Sequence, residues 1–300
     1  SLEETKQMSR ITYVNGQYVP HSQASVHIED RGYQFADGVY EVFAVHDGEL
    51  IGEQGHLDRL AHSLGALQID WPMAQRPFMV VVKEVVRRNH VKFGLVYIQV
   101  TRGVARRDHP FPANPISAMV ITARKMAPLD KALLNKGVKV ITIPDIRWKR
   151  KDIKSIALLP NCLGKQQARE AGAFEAWQYD EDDTITEGTS SNAWIVNKDG
   201  ELVTRQVGPT ILNGITRLAV LEAAREAGLT IAERPFTIKE ALEAKEAFIT
   251  SSTSHVKAVT QIDDKTVGNG HVGEMTSKLL DLYVTYIEEK GGPIVTDRWN

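Results

Sequence analysis

Lys154 is the residue in this sequence best placed to act as a nucleophile. It lies in Ile146-Arg147-Trp148-Lys149-Arg150-Lys151-Asp152-Ile153-Lys154-Ser155, which follows a β-rich run from Gly137 to Ile143 and precedes an apolar segment that opens a helix. A lysine where a strand hands over to the interior can be desolvated, which lowers its pKa and makes the amine a usable nucleophile and base. Taken alone, five basic residues in the eight positions from Arg147 to Lys154 also read as a solvated charged face.

Three further stretches carry chemistry. In Thr186-Glu187-Gly188-Thr189-Ser190-Ser191-Asn192, read as lying between two strands, small residues let a backbone approach a ligand and Glu187 puts an anion beside it. Leu212-Asn213-Gly214-Ile215-Thr216-Arg217 opens a helix, where free amides, the positive dipole end and the Thr216 hydroxyl suit a phosphate. The run Thr250-Ser251-Ser252-Thr253-Ser254 can donate to the same phosphate. In Arg102-Gly103-Val104-Ala105-Arg106-Arg107-Asp108-His109, an arginine and a histidine two apart on extended backbone point the same way and can converge on one carboxylate. Singly, these also read as an ordinary turn, a capping threonine, a polar loop and a basic loop. Together they describe one ligand set, a nucleophilic lysine, an acid, a phosphate site and cations for a carboxylate, which pyridoxal 5'-phosphate with an amino acid requires.

These residues need rigid elements to hold them. The chain has 300 residues, enough for two domains, and its 42% hydrophobic and 25% charged content is that of a globular protein. A formal net charge of -2 argues against nucleic acid or an anionic membrane as the main partner. Without an apolar run of roughly 18 residues, a membrane span is not expected, and the reading is cytoplasmic. The single cysteine, Cys162, allows no internal disulfide and no cysteine-rich metal site, and is expected to be a small buried residue.

Periodicity places a hairpin at residues 11–19, a turn-rich loop from Glu29 into a strand over Val39 to His46, and helices over His56 to Leu67 and Phe78 to Asn89. Strands follow over 93–101 and 116–123. Beyond a linker at 124–132 come a strand over 138–143, a helix over 163–171 and a strand over 176–179. A hairpin then spans 192–204, followed by helices over 216–227 and 238–245. Strands over 247–250 and 256–262 and a helix over 272–289 complete the chain. Strands and helices mix rather than alternate, so the class is α+β, with an N-terminal domain over 1–123 and a C-terminal domain over 133–300. The polar start, Ser1 to Met8, is expected to fray.

Glu187, Asn192, Thr204 and Leu212-x-Gly214-Ile215-x-Arg217 resemble the signature of the class IV aminotransferases, the fold type IV pyridoxal-phosphate enzymes. Within that family, Glu29 to Phe35, Val100 to Gly103, Asp145 to Trp148, Asp152 to Ser155 and Gly214 to Arg217 are similar to D-amino-acid aminotransferases. The resemblance implies a smaller N-terminal α/β domain and a larger, β-barrel-like C-terminal domain with helices. It makes Lys154 the Schiff-base lysine and Glu187 the acid on the pyridine nitrogen. It also puts Arg59, Ile215, Thr216, Ser251 and Ser252 on the cofactor phosphate, and Leu212 against the ring. Tyr40, Arg107 and His109 correspond to the trio that recognises the α-carboxylate of a D-amino acid. Branched-chain L-amino-acid relatives lack the arginine-x-histidine pair. Three departures stand out: Trp194 where the signature prefers Phe or Tyr, Ser252 where a close relative has Thr, and Asp108 between the two cations.

The implied reaction is ping-pong. A D-amino acid displaces Lys154 from the cofactor, the freed amine takes the Cα proton, and a 2-oxo acid leaves before a second one enters. The resemblance further implies a homodimer and no metal. Alternatives are a branched-chain L-amino-acid or R-selective amine transaminase of the same fold, and a pyridoxal-phosphate carrier or lyase. A non-enzymatic α+β scaffold is a further one.

Overall fold

The structure is a computed structural model, described here for residues 10–289; the polar start from Ser1 to Met8 lies outside the described residues. The chain divides into two compact units. The first comprises residues 1–51, 60–128 and 155–157, and the second residues 52–59, 129–154 and 158–300.

In the first unit, β1 (Ile11–Val14), β2 (Gln17–Pro20), β3 (Gly38–His46), β4 (Glu49–Leu50), β5 (Gly94–Thr101) and β6 (Ala118–Lys125) form one sheet in the order β2-β1-β6-β5-β3-β4. All its pairings are antiparallel. The β1–β2 turn is Asn15-Gly16, both at positive φ, the pattern that suits the twist of a two-residue hairpin. Helix α2 (Glu53–Leu67) and helix α3 (Gln75–Arg88) follow the hydrophobic spacing of the sequence. α3 buries Phe78, Met79, Val82, Val85 and Val86 on one face, toward β1, β5 and β6. The turn-rich loop after Glu29 contains a helix that sequence periodicity did not reveal, α1 (Arg31–Phe35). It is capped by the Asp30 carboxylate, which accepts from Gly32 N at 2.8 Å. Five residues are too few for a 3.6-residue repeat to show.

Asp37, just after α1, stands between two buried arginines. Its Oδ2 accepts from Arg31 Nε at 2.8 Å and from Arg102 Nε at 2.7 Å, and its Oδ1 accepts from Arg102 Nη2 at 3.0 Å. Arg102 also donates to the Leu67 and Gln68 carbonyls, ending α2 against the sheet. Burial pushes the Asp37 carboxyl up, but the hydrogen bonds and charges of Arg102 and Arg31 outweigh it and leave the carboxyl below its ordinary value.

In the second unit, α4 (Lys131–Leu134) precedes β7 (Val138–Pro144), α5 (Leu159–Glu170), β8 (Glu175–Tyr179), β9 (Ile185–Gly188), β10 (Asn192–Val196) and β11 (Leu202–Thr204). Then come α6 (Ile215–Glu226), β12 (Ile231–Glu233), α7 (Ile238–Glu243), β13 (Glu246–Ser251), β14 (His255–Ile262), β15 (Lys265–Thr266) and α8 (Glu274–Glu288). The strands run β12-β11-β10-β13-β14-β7-β8-β9, with β15 on β14. β10 and β9 are five strand spacings apart in that order, about 24 Å if the sheet were flat. Only Thr189, Ser190 and Ser191 join them, and such a link spans at most about 14 Å. The sheet must therefore curl back on itself, as the expected barrel-like domain requires. Its interior holds Val140, Trp177, Ile185, Ile195, Val203, Phe236, Ile249 and Ile262. Trp194 is fully buried, stacks on Phe248 at 5.2 Å and donates to Thr250 Oγ1 at 2.9 Å, so its departure from the family pattern is a packing feature.

Two expectations fail locally. Cys162 is exposed on α5, because this helix buries only Gly164 and Ala168. The loop expected from Thr186 to Asn192 shrinks to Thr189–Ser191, and Glu187 is on β9 itself.

Asp37→Asn is expected to lower the unfolding free energy by about 3–5 kcal/mol at neutral pH, since it leaves two buried guanidinium groups without their shared anion. Because the folded carboxyl lies below its unfolded value, its contribution is full above about pH 4 and is lost as pH falls through the folded value. Denaturant melts of both proteins should show their difference shrinking with acid. A constant difference would contradict this role.

Candidate active site

Glu187 is the penultimate residue of β9, with its side chain almost wholly buried. Oε1 accepts from Arg147 Nη1 at 2.6 Å, Oε2 accepts from Asn192 Nδ2 at 3.1 Å, and both oxygens take the Leu212 amide at 3.2 and 3.1 Å. Burial pushes this carboxyl above its ordinary value, and the Arg147 guanidinium and the Leu212 amide offset that only in part. Three donors aimed at it make it the anion of the site.

Behind it the charges alternate. Arg147 donates Nε to Asp145 Oδ1 at 3.0 Å and Nη2 to Oδ2 at 2.8 Å. Asp145 also accepts from Thr186 Oγ1 at 2.7 Å and pairs with Lys151 Nζ at 3.1 Å. Burial pushes Asp145 up, but the hydrogen bonds and charge of Arg147, with help from Thr186 and Lys151, hold it well below the usual carboxylate range. Burial pulls Arg147 down, and its two carboxylates outweigh that and raise it. Glu187, Arg147, Asp145 and Lys151 thus form a chain of opposite charges.

The basic stretch around Lys154 splits along this chain. Lys149 and Arg150 are exposed, as a solvated face would have them. Arg147 and Lys151 turn inward, with side-chain exposures of 8% and 11%. Lys154 is half-buried, directly after the buried Ile153. The segment is tied down by Lys151 N donating to Pro209 O at 2.9 Å.

A second cluster forms at the start of α6. Arg59 is buried at 3% exposure and donates Nη1 to Asn213 O at 3.1 Å. Asn213 is buried too, and neither Nδ2 nor Oδ1 of its side chain has a hydrogen-bond partner. The helix cap is Gly214, not Thr216, and no side chain caps the first turn. A Cβ at Gly214 would come within 2.1 Å of Asn192 Oδ1. Only glycine therefore lets Asn192 reach both Glu187 and the Leu212 carbonyl, the latter at 2.9 Å. Ile215 and Thr216 are buried in that turn, and the Thr216 hydroxyl meets the Tyr283 hydroxyl of α8. Ser251 and Ser252 are half-buried at the β13–β14 turn, where Ser251 Oγ accepts from Ser254 N at 2.9 Å. The five hydroxyl residues thus begin inside β13 rather than after it.

A buried guanidinium, an uncapped helix start and an orphaned amide fit a phosphate, and Glu187 fits a protonated ring nitrogen. The residues present therefore match a phosphorylated pyridine cofactor. Glu187 is joined to the α6 turn through Asn192 and Leu212, and Arg59 through Asn213. Sequence reasoning missed Glu175, which is 1% exposed. It accepts from Thr189 N and Oγ1, Ser190 N and Oγ, and Ser191 Oγ, so it holds the loop between Glu187 and Asn192. The weight of Arg147 and Asp145 was also missed, although both stood in a family stretch.

The remaining three expected residues lie in the first unit. Tyr40 is half-buried on β3 and stacks on Tyr97 at 5.6 Å. Arg107 and His109 are exposed on the loop after β5, both against the Phe35 ring.

Arg147→Met should cost about 3–5 kcal/mol of unfolding free energy in denaturant melts, because Glu187 and Asp145 lose the cation between them. A loss below about 1 kcal/mol, the scale of a surface pair, would show that the chain of charges does not organise this unit.

Residues 38–262 match the family model described as Amino-transferase class IV. The D-alanine aminotransferase of Staphylococcus haemolyticus is 36% identical over 278 residues, covering 93% of this chain and 98% of that protein. The D-alanine aminotransferase of Bacillus licheniformis is 42% identical over 265 residues, with coverages of 88% and 93%. Among solved structures, a branched-chain aminotransferase from Thermoproteus uzoniensis with norvaline superposes with a TM-score of 0.81 at 24% identity, covering 95% of this chain and 96% of that one. The branched-chain amino acid aminotransferase from Escherichia coli gives 0.83 at 21% identity, covering 97% of each chain. With its family profile over three quarters of its length and relatives above the identity at which fold and family travel together, the chain belongs to the class IV aminotransferases.

Proposed function

We propose that this protein is a D-amino-acid transaminase that moves the amino group of a D-alanine- or D-glutamate-type donor to a 2-oxo acid with pyridoxal 5'-phosphate as cofactor. One observation carries the reading: the buried Glu187, tied through Asn192 and Leu212 to an uncapped helix start, in a chain 36–42% identical to D-alanine aminotransferases. The cofactor supplies an electron sink for the electrons left when a Cα proton is removed.

The chain's own residues supply the rest. Lys154 would hold the cofactor through Nζ, and its freed amine would act as the base that takes the Cα proton and delivers it to the cofactor carbon, one group serving both transfers. Glu187 would face the ring nitrogen and hold a proton there, with Arg147 as its counter-charge. Arg59, Thr216, the Ile215 amide, Ser251 and Ser252 would hold the phosphate, and Leu212 would lie against the ring. Tyr40, Arg107 and His109 bind the α-carboxylate, and the charged Arg107 can grip it through paired hydrogen bonds.

The protein acts as a cytoplasmic homodimer in this reading. Exposed Ile28, Tyr33 and Ile116 support a covered face on the first unit, and a single cysteine suits a reducing compartment. Among the described residues no helix is long and apolar enough to cross a membrane. The branched-chain alternative rests on structural neighbours at 21–25% identity, below the 36–42% of the D-alanine aminotransferases.

Borohydride reduction of the cofactor-loaded enzyme, followed by peptide mapping, should place the label on Lys154. A label on Lys151 or Lys165 would contradict the assignment.

A further inference from the structure

The loop that bears Arg107 and His109 is built on one short helix. Arg31, the first residue of α1, is 3% exposed and pairs with Asp37 through Nε at 2.8 Å. Its remaining nitrogens reach three consecutive carbonyls of that loop: Nη1 to Asp108 O at 2.6 Å and Pro110 O at 3.4 Å, and Nη2 to His109 O at 3.1 Å. A buried, neutralised guanidinium with three carbonyl partners fixes the path of the loop backbone. It does not fix the side chains that leave the loop.

Those side chains meet the other end of α1. The Phe35 ring has the Arg107 guanidinium carbon 4.6 Å from its centroid and the His109 ring 5.5 Å away, tilted by 38°. Arg31 approaches the same ring at 4.9 Å, which ties the platform to the clamp. Arg107 and His109 are otherwise exposed, and Arg107 is long enough to sweep many rotamers. A ring face attracts a guanidinium and narrows that sweep without using its hydrogen-bond donors. The donors stay available to a ligand.

We propose that Phe35 is the positioning residue of the substrate-carboxylate pair, its ring pre-orienting Arg107 and His109 on a loop whose backbone Arg31 clamps. The proposal rests on the reading of those two residues as the carboxylate site. It makes α1 a specificity element: without the ring the carboxylate still binds, but it must order Arg107 itself.

The test uses the cofactor-loaded enzyme and the half-reaction with D-alanine, followed through the cofactor absorbance, with propionate as an inhibitor that offers a carboxylate alone. Phe35→Leu should raise the half-saturating D-alanine concentration and the propionate inhibition constant roughly fivefold, the Boltzmann factor of one exposed cation–π contact of about 1 kcal/mol. The limiting rate should hold within about twofold, a split that general loss of structure does not produce. Phe35→Tyr, which keeps the ring face, should behave as the unaltered enzyme. Arg107→Ala should weaken both ligands more than Phe35→Leu does, and adding Phe35→Leu to it should weaken them little further.

If Phe35→Leu weakens both ligands as much in the Arg107→Ala background as alone, the ring does not act through Arg107 and the proposal falls. If Arg107→Ala is damaging and Phe35→Leu is silent, the proposal falls while the carboxylate reading stands. A silent Arg107→Ala overturns the carboxylate reading itself. Should Phe35→Leu not yield folded, loaded enzyme, Phe35→Met keeps the volume without the ring face; failure of both would make Phe35 a folding residue and overturn the proposal.

Discussion

The active-site half of this protein depends on the contact between Glu187 and Arg147. A carboxylate with no access to water is costly, and a buried ion pair repays that cost only when its remaining lone pairs are satisfied. Here they are, by Asn192 and the Leu212 amide. Each of these partners brings another element with it. Arg147 brings the segment after β7 that carries Lys154, Asn192 brings the start of β10, and Leu212 brings the approach to α6. The requirement to satisfy one anion therefore brings three separate stretches of chain onto it. It also explains Gly214, the only residue type whose backbone leaves room for Asn192 to serve both Glu187 and Leu212.

A similar device organises the first unit. Asp37 is shared by Arg31 and Arg102, and each arginine spends its other donors on backbone carbonyls, at the end of α2 for one and in the 108–110 loop for the other. In both units a single buried carboxylate converts arginines into backbone clamps. Loops that carry the candidate site residues gain rigidity from this without regular secondary structure of their own.

Much of this was legible in the sequence, for physical reasons. The spacing of Phe78, Val82, Val85 and Val86 marks the buried face of α3, and Asn15-Gly16 marks the β1–β2 turn because few other pairs accept positive φ twice. The chemistry of Lys154, Glu187 and the α6 start could be sensed from residue types, and only the family resemblance gave Arg59 a role, since helical spacing says nothing about phosphate. What stayed hidden were long-range polar pairings. Arg147 and Glu187 are 40 residues apart, and Glu175 meets Thr189 across 14, with no periodicity to connect them. The charge run around Lys154 left both readings open, because the inward turn of Arg147 and Lys151 depends on Asp145, whose burial composition cannot reveal. Cys162 was misjudged by residue type alone, on a helix that buries few of its side chains.

The most direct measurement is a chiral comparison of amino donors on one purified sample, D-alanine against L-alanine, each with 2-oxoglutarate and added pyridoxal phosphate. If Arg107 and His109 recognise the α-carboxylate of a D-amino acid and Lys154 is the base, D-alanine yields pyruvate and D-glutamate while L-alanine reacts far more slowly. Faster turnover of L-alanine or of a branched-chain L-amino acid would contradict the account and return the protein to the branched-chain reading of its fold.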